Sequence, residues 1–307
     1  MKKITIFKYG DGELANQLWN YISVYAYGLE KDISVSNPSF YEYHSSFNLV
    51  KNENILVKII AILFENYTKR KQGLWKKITR KIYRIYPFII EKLYKNQIVS
   101  SENPSNSAVY LPPTKENSYL GHDNNELYFT GWLFRNPVGI EKFRQQIVRD
   151  FCPKESISKK IDSVISSLYS KYEKIIGVHI RQGDYATFKG GRYLVPQKRV
   201  REIIDEYSTK NNINLEKTCF LITSDGPIDA TIFRNINLYI SKENAVTDLF
   251  LLSATDAIIG SDSSFGDFAG WYGNKMHIVT SNDPIDWDYY VARKGYFENK
   301  YCTMVHF

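Results

Sequence analysis

Ile175-Ile176-Gly177-Val178-His179-Ile180-Arg181-Gln182-Gly183-Asp184-Tyr185 runs without a break from an apolar strand into a charged turn. Ile175 to Ile180 is the short apolar run of a strand covered on both faces, as in a parallel α/β sheet. Arg181 and Asp184 fall at the strand's carboxyl end, with Gly183 supplying a turn, and open α/β sheets bind ligands beyond those ends. A guanidinium there, two residues after a histidine, suits a phosphorylated ligand. A surface Arg/Asp turn closing an ordinary strand is the plainer alternative.

The same grammar recurs on both sides of this stretch. At the amino terminus a strand, Ile4 to Tyr9, leads through the turn Gly10-Asp11-Gly12 into a helix with Leu18, Ile22, Tyr25 and Leu29 on one face. Such a βα turn lets backbone N–H groups and the helix N-terminus approach an anion. Leu127 to Phe134 is a β-rich run with Gly131 inside it, and a helix is expected from Ile140 to about Asp150. Further on, Thr218 to Thr223 is another apolar strand, ending in Ser224-Asp225-Gly226-Pro227. A carboxylate at that position can accept a pair of N–H bonds, the geometry a guanine ring offers, although a turn aspartate before Gly-Pro is common without a ligand. Last, Thr247 to Phe265 reads as a short helix, a short strand and a run of small hydroxyl residues that places Ser263 and Ser264 at a helix N-terminus, as a phosphate site or as a plain N-cap.

Taken in order, these segments resemble the α-1,2-, α-1,6- and protein O-fucosyltransferases. His179 to Asp184 is similar to their His-x-Arg-Arg-x-Asp motif, with Gln182 in place of the second arginine. Gly12-Glu13-Leu14-Ala15-Asn16-Gln17-Leu18 follows their glycine-rich turn and Gly-Asn-Gln, with Ala15 replacing the last glycine, a residue that would be strained if that position requires positive φ. Gly131-Trp132 matches a Gly-Tyr-Phe/Trp segment, and Asp262-Ser263-Ser264-Phe265-Gly266-Asp267-Phe268 stands where the family has Asn-Ser-Ser-Phe-Ser-Trp-Trp. Pro284-Ile285-Asp286-Trp287 fits the family's Pro-x-x-Trp. The resemblance covers most of the chain except roughly residues 32 to 126, and its closest match is the bacterial type of α-1,2-fucosyltransferase.

The resemblance implies an α/β fold of the GT-B type, two Rossmann-like domains facing across a cleft. Residues 1–152 would form the acceptor-side domain and 153–307 the GDP-sugar-binding domain. The reaction it implies is inverting transfer of L-fucose from GDP-β-L-fucose to a hydroxyl of an oligosaccharide or lipid-linked glycan, forming an α-1,2 linkage in surface glycan synthesis. Donor-binding residues carried over by motif are Asn16, Gln17, His179, Arg181, Asp225, Ser263, Ser264 and Phe265. Arg181 would hold the β-phosphate, and Asp225 and His179 would contact the guanine. The catalytic pair would be Arg181 and Asp184. For the general base, Asp184, Asp11 and Glu13 all stay open, as does proton uptake by the departing diphosphate. No Asp-x-Asp stands at a plausible donor position, so neither a metal nor another cofactor is expected.

Composition sets the outer limits. At 307 residues with 43% hydrophobic and 24% charged, the chain has the make-up of a soluble globular protein long enough for two cores. Cys152, Cys219 and Cys302 are scattered and odd in number, which argues for a reducing compartment and against a disulfide framework or zinc site. Met1-Lys2-Lys3 runs straight into a strand, so no signal peptide is read and a cytoplasmic location is expected. Between Lys51 and Lys95 twelve basic residues stand against three acidic ones, a surplus of nine that exceeds the +7 of the whole chain.

Within that basic insertion Leu74, Ile78, Ile82, Ile85 and Ile89 share a helical face flanked by Lys77, Arg80, Lys81 and Arg84, and Pro87 should kink or stop the helix. The face could lie on an anionic membrane, placing the protein peripherally on the inner face of the plasma membrane, or face the core. Nucleic acid is not expected as a partner, because no recognised binding module accompanies the charge. Two other function classes stay open: a transferase using another GDP-sugar, and a noncatalytic protein binding anionic lipid or nucleic acid.

Overall fold

The computed structural model of the chain describes residues 2–8, 12–49, 74–103, 107–111 and 126–291. It divides into two compact units, Met1–Lys154 and Glu155–Phe307.

In the first unit, β1 (Lys3–Lys8) is buried on both faces and leads into α1 (Leu14–Lys31). Gly12 takes φ +107°, so the left-handed step of the turn falls on a glycine. Ala15 is already the second residue of α1, so the expected strain does not arise. The helix is buried on nearly all sides from Leu14 to Gly28, a wider face than its spacing suggested. After β2 (Ser34–Ser36) and the helical turn α2 (Tyr41–His44) come α3 (Leu74–Tyr83), α4 (Ile85–Leu93), β3 (Ile98–Ser100), β4 (Val109–Tyr110), β5 (Glu126–Thr130) and β6 (Phe134–Arg135). The main sheet is parallel in the order β2-β1-β5-β3. The run expected as one β segment is cut at Gly131, where φ is +99°. The helix expected from Ile140 to Asp150 is two, α5 (Pro137–Lys142) and α6 (Arg144–Asp150). It starts earlier than expected because Asn136 accepts from the Gly139 N–H at 2.9 Å while Pro137 occupies the first helical position.

The basic segment departs further from expectation. The helix does break ahead of Pro87, at Arg84, since a proline there cannot donate to the carbonyl of Tyr83. Thr79, Tyr83, Pro87 and Ile90 face inward, and Tyr83 donates its hydroxyl to the Phe7 carbonyl at 2.7 Å. The isoleucine stripe points the other way: Ile82, Ile85 and Ile89 are 52%, 60% and 45% exposed. The core-facing alternative is therefore wrong for these three residues. Arg80 is also not part of an open basic surface, because its Nε and Nη2 grip both oxygens of Glu42 at 2.6 and 3.1 Å. Lys51, Lys58, Lys69, Arg70 and Lys71 lie outside the described residues, as do Asp11 and Cys302.

In the second unit, α7 (Glu155–Tyr169), β7 (Lys174–Ile180), α8 (Gln197–Lys210), β8 (Thr218–Ser224), β9 (Asn237–Ile240), α9 (Ala245–Ser253), β10 (Ala257–Ser261), α10 (Ser264–Gly273), β11 (His277–Thr280) and α11 (Trp287–Val291) build one sheet with helices. The sheet is wholly parallel, ordered β11-β10-β7-β8-β9. From Ile175 to Ile180 every residue of β7 is buried, as its continuous apolar run requires. Among the described residues no helix is long and apolar enough to cross a membrane.

Candidate functional site

The strand order of the second unit reverses at β7. From β7 the chain steps through β8 to β9 at one edge, then returns to β10 on the other side of β7 and continues to β11. The crevice at such a switch point, outside the carboxyl ends of the strands, is where open α/β sheets take ligands. Register brings those ends level: Ile180 lies opposite Ser224, and His179 opposite both Thr223 and Gly260. Arg181, Asp225 and Ser263 therefore emerge at one edge although the sequence separates them widely.

Arg181 is the centre of the cluster. Its Nε donates to Asp184 Oδ1 at 3.0 Å, its Nη2 lies 2.8 Å from the same oxygen, and its Nη1 lies 3.0 Å from Asp225 Oδ2. The guanidinium has five N–H groups in a planar fork, so two stay available, one on each terminal nitrogen. Asp225 also ties down the turn, its Oδ1 accepting from the N–H groups of Gln182 and Gly183 at 2.7 and 3.3 Å. A Cβ on Gly183 would come within 2.6 Å of Asp225 Oδ2, so the close approach of the carboxylate depends on glycine there. Both oxygens of Asp225 are thus engaged within the chain.

Gln182, which stands where the resembling motif has its second arginine, is turned away from this fork. Its Nε2 donates to Ser224 Oγ and to the Pro227 carbonyl, both at 2.9 Å, and its Oε1 accepts from Gln197 Nε2 at 3.0 Å. It binds the β7 turn to the β8 turn rather than adding charge.

His179 sits under the cluster, 5% exposed, with its ring stacked 4.7 Å from that of Phe265. Its Nδ1 lies 3.3 Å from Thr223 Oγ1, and its buried Nε2 has no hydrogen-bond partner among the described residues. Burial, then the neighbouring His277 and Arg181, push its pKa down to about 3, so the ring is neutral at ordinary pH. Ser263 caps α10, its Oγ accepting from the Gly266 N–H at 3.4 Å, and Ser264 is the first helical residue. The structure thus brings His179, Arg181, Asp184, Asp225, Ser263, Ser264 and Phe265 to one sheet edge.

Asn16 and Gln17 belong to the first unit. Gln17 is 2% exposed and donates to the Gly12 carbonyl at 3.3 Å, bracing the turn it follows. Glu13 accepts from the Tyr43 hydroxyl at 2.8 Å and lies 3.7 Å from Arg80.

Several residues of the site carry no local signal in the sequence. Tyr185 donates its hydroxyl to the Asp262 carbonyl at 2.7 Å, and Arg181 lies 5.7 Å from its ring centroid, a cation over an aromatic face. Asp267 and His277 form a buried pair, Oδ1 to Nδ1 at 2.9 Å, below the α10 N-terminus. That pair accounts for part of the departure from the family pattern, since a Cβ at Gly266 would fall 2.6 Å from His277 Nε2. The presence of glycine and aspartate at 266 and 267 was the available signal, but its partner lies on the next strand. Beside Asp262, whose carboxyl is pushed upward by burial and then by Asp267, opens a cavity of about 590 Å³ lined also by Arg192, Tyr193 and Asp286.

No family model matches the chain, and no curated protein matches it. Solved structures do. The chain is similar to Arabidopsis thaliana FUT1, an arginine-to-lysine mutant in complex with GDP, at 14% identity over 91% of this chain and 70% of that one, with a TM-score of 0.51. It is similar to NodZ α-1,6-fucosyltransferase soaked with GDP-fucose at 13% identity over 89% and 93%, TM-score 0.51. Fucosyltransferase NodZ from Bradyrhizobium matches at 12% identity over 93% of this chain and 97% of that one, TM-score 0.51. At such identities the likeness is one of fold, and the fold is the α/β, Rossmann-like GT-B class expected from the sequence.

Proposed function

We propose that this chain is a glycosyltransferase that moves L-fucose from GDP-β-L-fucose to a hydroxyl of a sugar acceptor, with inversion at the transferred carbon. The observation that carries the reading is the crevice between β7 and β10. There a half-buried arginine with two N–H groups to spare stands beside a serine-capped helix N-terminus, on a fold shared with solved fucosyltransferases. The second unit would hold the GDP-sugar and the first the acceptor, an oligosaccharide or a lipid-linked glycan. We further assign the product an α-1,2 linkage and a role in surface glycan synthesis at the cytoplasmic side.

In this reading the acceptor oxygen attacks C1 of the fucose as the C1–O bond to the β-phosphate breaks, and negative charge grows on the departing diphosphate. Arg181, Ser263, Ser264 and the first amides of α10 would stabilise that charge, the role preorganised donors serve in other sites. The acceptor proton goes to Asp184 or to the departing diphosphate itself. Asp184 already accepts two contacts from Arg181, so orienting the guanidinium is its second role. His179 and Asp225 would face the guanine, with Phe265 stacked on His179. Asp225 would accept guanine N–H groups in exchange for the Gln182 and Gly183 amides it holds in the free chain. Asn16 and Gln17 are assigned to donor binding on the motif alone. No metal or other cofactor takes part.

The test is a panel of nucleotides and nucleotide sugars. GDP at a hundred times its Kd should stabilise the protein by about 2.7 kcal/mol, and UDP and ADP at the same concentration should not. GDP release should be fastest from GDP-fucose, and linkage analysis of the product should show the α-1,2 bond. Equal shifts with all three nucleotides would remove the guanine assignment, and faster release from another GDP-sugar would replace fucose. EDTA should leave turnover unchanged, and a large loss restored by Mg²⁺ would end the metal-free scheme.

A further inference from the structure

The helix pair of the first unit presents an apolar face that no described residue covers. Ile82, Ile85, Phe88, Ile89 and Leu93 are 52%, 60%, 63%, 45% and 67% exposed. They follow one another at helical spacing along the last turn of α3 and the whole of α4, opposite the inward row of Thr79, Tyr83, Pro87 and Ile90. Isolated exposed apolar residues are ordinary on a soluble protein, but a contiguous row of five large ones marks a contact surface.

The charge beside the row says what kind of surface fits. Lys81 and Lys92 lie among these side chains and Arg84 and Lys95 beside them, all exposed, and none has an ion-pair partner among the described residues. Glu91 is the only acidic residue from 81 to 95, and it is already matched by Lys8 at 3.4 Å. Large apolar side chains bordered by unpaired cations are the features of a helix lying in the plane of an anionic bilayer, its apolar face in the acyl boundary and its cations among the headgroups.

We propose that α4 with the last turn of α3 is a docking face for an anionic lipid bilayer, with Ile82, Ile85, Phe88, Ile89 and Leu93 entering the membrane. The face differs from the one read from the sequence. It is shifted toward the C-terminal end, includes Phe88 and Leu93, and excludes Arg80, whose guanidinium Glu42 holds. The inference does not rest on the donor reading, since it concerns no residue of the β7–β10 crevice.

Vesicle sedimentation of the full chain tests it. The protein should partition onto phosphatidylglycerol-containing vesicles, not onto pure phosphatidylcholine, and should leave them at about 1 M salt, where the screening length falls to about 3 Å. Changing Ile85→Ser, Phe88→Ser and Leu93→Ser together should lower partitioning at least tenfold. Lys81→Gln, Arg84→Gln, Lys92→Gln and Lys95→Gln together should do the same. Both variants should keep the melting temperature and the GDP-induced shift of the parent, which separates loss of docking from loss of fold. No partitioning by the parent, equal binding to neutral and anionic vesicles, or unchanged binding by the serine variant would overturn the proposal. So would a parent dimer that the serine variant converts to a monomer, which would make the face a contact between copies.

Discussion

Helix α8 and the pair α3–α4 each carry an apolar stripe at helical spacing, but α8 sets four basic residues against three acidic ones where Leu74 to Leu93 sets six against one, and the two stripes end in opposite circumstances. In α8 the stripe of Val200, Ile203, Ile204 and Tyr207 is buried in the core of the second unit. Its cations are matched as well: Arg199 lies 3.1 and 2.8 Å from Glu202 and Glu206, and Arg201 pairs with Asp205 at 3.0 Å. Along α3–α4 the stripe is open, and Lys81, Arg84, Lys92 and, just beyond, Lys95 stand unpaired among the described residues. Periodicity fixes which side chains share a face, while what covers that face is decided by residues far away in the chain.

The largest effect expected from this contrast is on stability. Ile204→Ala removes a fully buried side chain from beneath the sheet and should destabilise the second unit by about 2–5 kcal/mol in chemical denaturation. A loss below about 1 kcal/mol would mean that α8 is as loosely covered as α4, and the contrast would collapse.

Arg181→Lys probes the same unit at its charged edge. Lysine keeps the charge but loses the planar fork that meets Asp184 and Asp225 at once and that, under the proposed function, would also hold a phosphate. The kcat should fall roughly a hundredfold, about 2.7 kcal/mol of transition-state stabilisation, with a smaller loss in GDP affinity. Stability should move by less than about 1 kcal/mol, because these pairs are partly exposed. Early unfolding with turnover retained would make Arg181 structural and remove the donor site built on it.

Next in size is a pH effect at His179. Its pKa falls from 6.5 to about 3 in the folded chain, chiefly through burial, so between those values the unfolded chain binds the extra proton. The sign follows: its contribution is complete above about pH 6.5 and is lost as the pH falls toward 3, at up to about 1.4 kcal/mol per pH unit. Asp248 works the other way, since burial pushes its carboxyl up to about 6 and folding then favours its protonated form. The measurement is therefore a difference. His179→Asn should flatten the acid side of the stability curve by about one proton relative to the parent, and identical curves would show that His179 protonates in the folded chain.

How much could be read in advance differs by kind of feature. The strands β7 and β8 and the capped start of α10 were legible because each is local: an apolar run, a turn residue, a hydroxyl before a helix. The grouping of Arg181, Asp184 and Asp225 was only half legible, since the sequence supplied the residues and the register of β7 with β8 supplied the contact. The role of Gln182 as a strap to Pro227 depends on residues from separate elements and left no local trace, while the buried Asp267–His277 pair left only half of one, the glycine and aspartate at 266 and 267. Periodicity does not decide between core and surface for the stripe of α4 for the same reason. Its inward row of Thr79, Tyr83 and Pro87 includes polar and ring residues that hydropathy ranks below the isoleucines.

The smallest expected effect is the sharpest test of the contrast, and it uses a residue of the same type as Ile204. Ile89→Ala removes the same three-carbon tip from a helix, so local chemistry alone would assign both substitutions a similar penalty. Ile89 is 45% exposed, however, and its side chain gives up only part of its apolar area on folding. Alanine also has the higher helix propensity, by about 0.4 kcal/mol, which offsets some of the packing that the shorter side chain forgoes. The net change in stability in solution should therefore lie within about 0.5 kcal/mol of zero. A loss above about 2 kcal/mol, the range of buried large-to-small substitutions, would show that another part of the chain covers the stripe in solution. The same result would remove the free surface on which membrane docking depends, whatever the vesicle measurements gave.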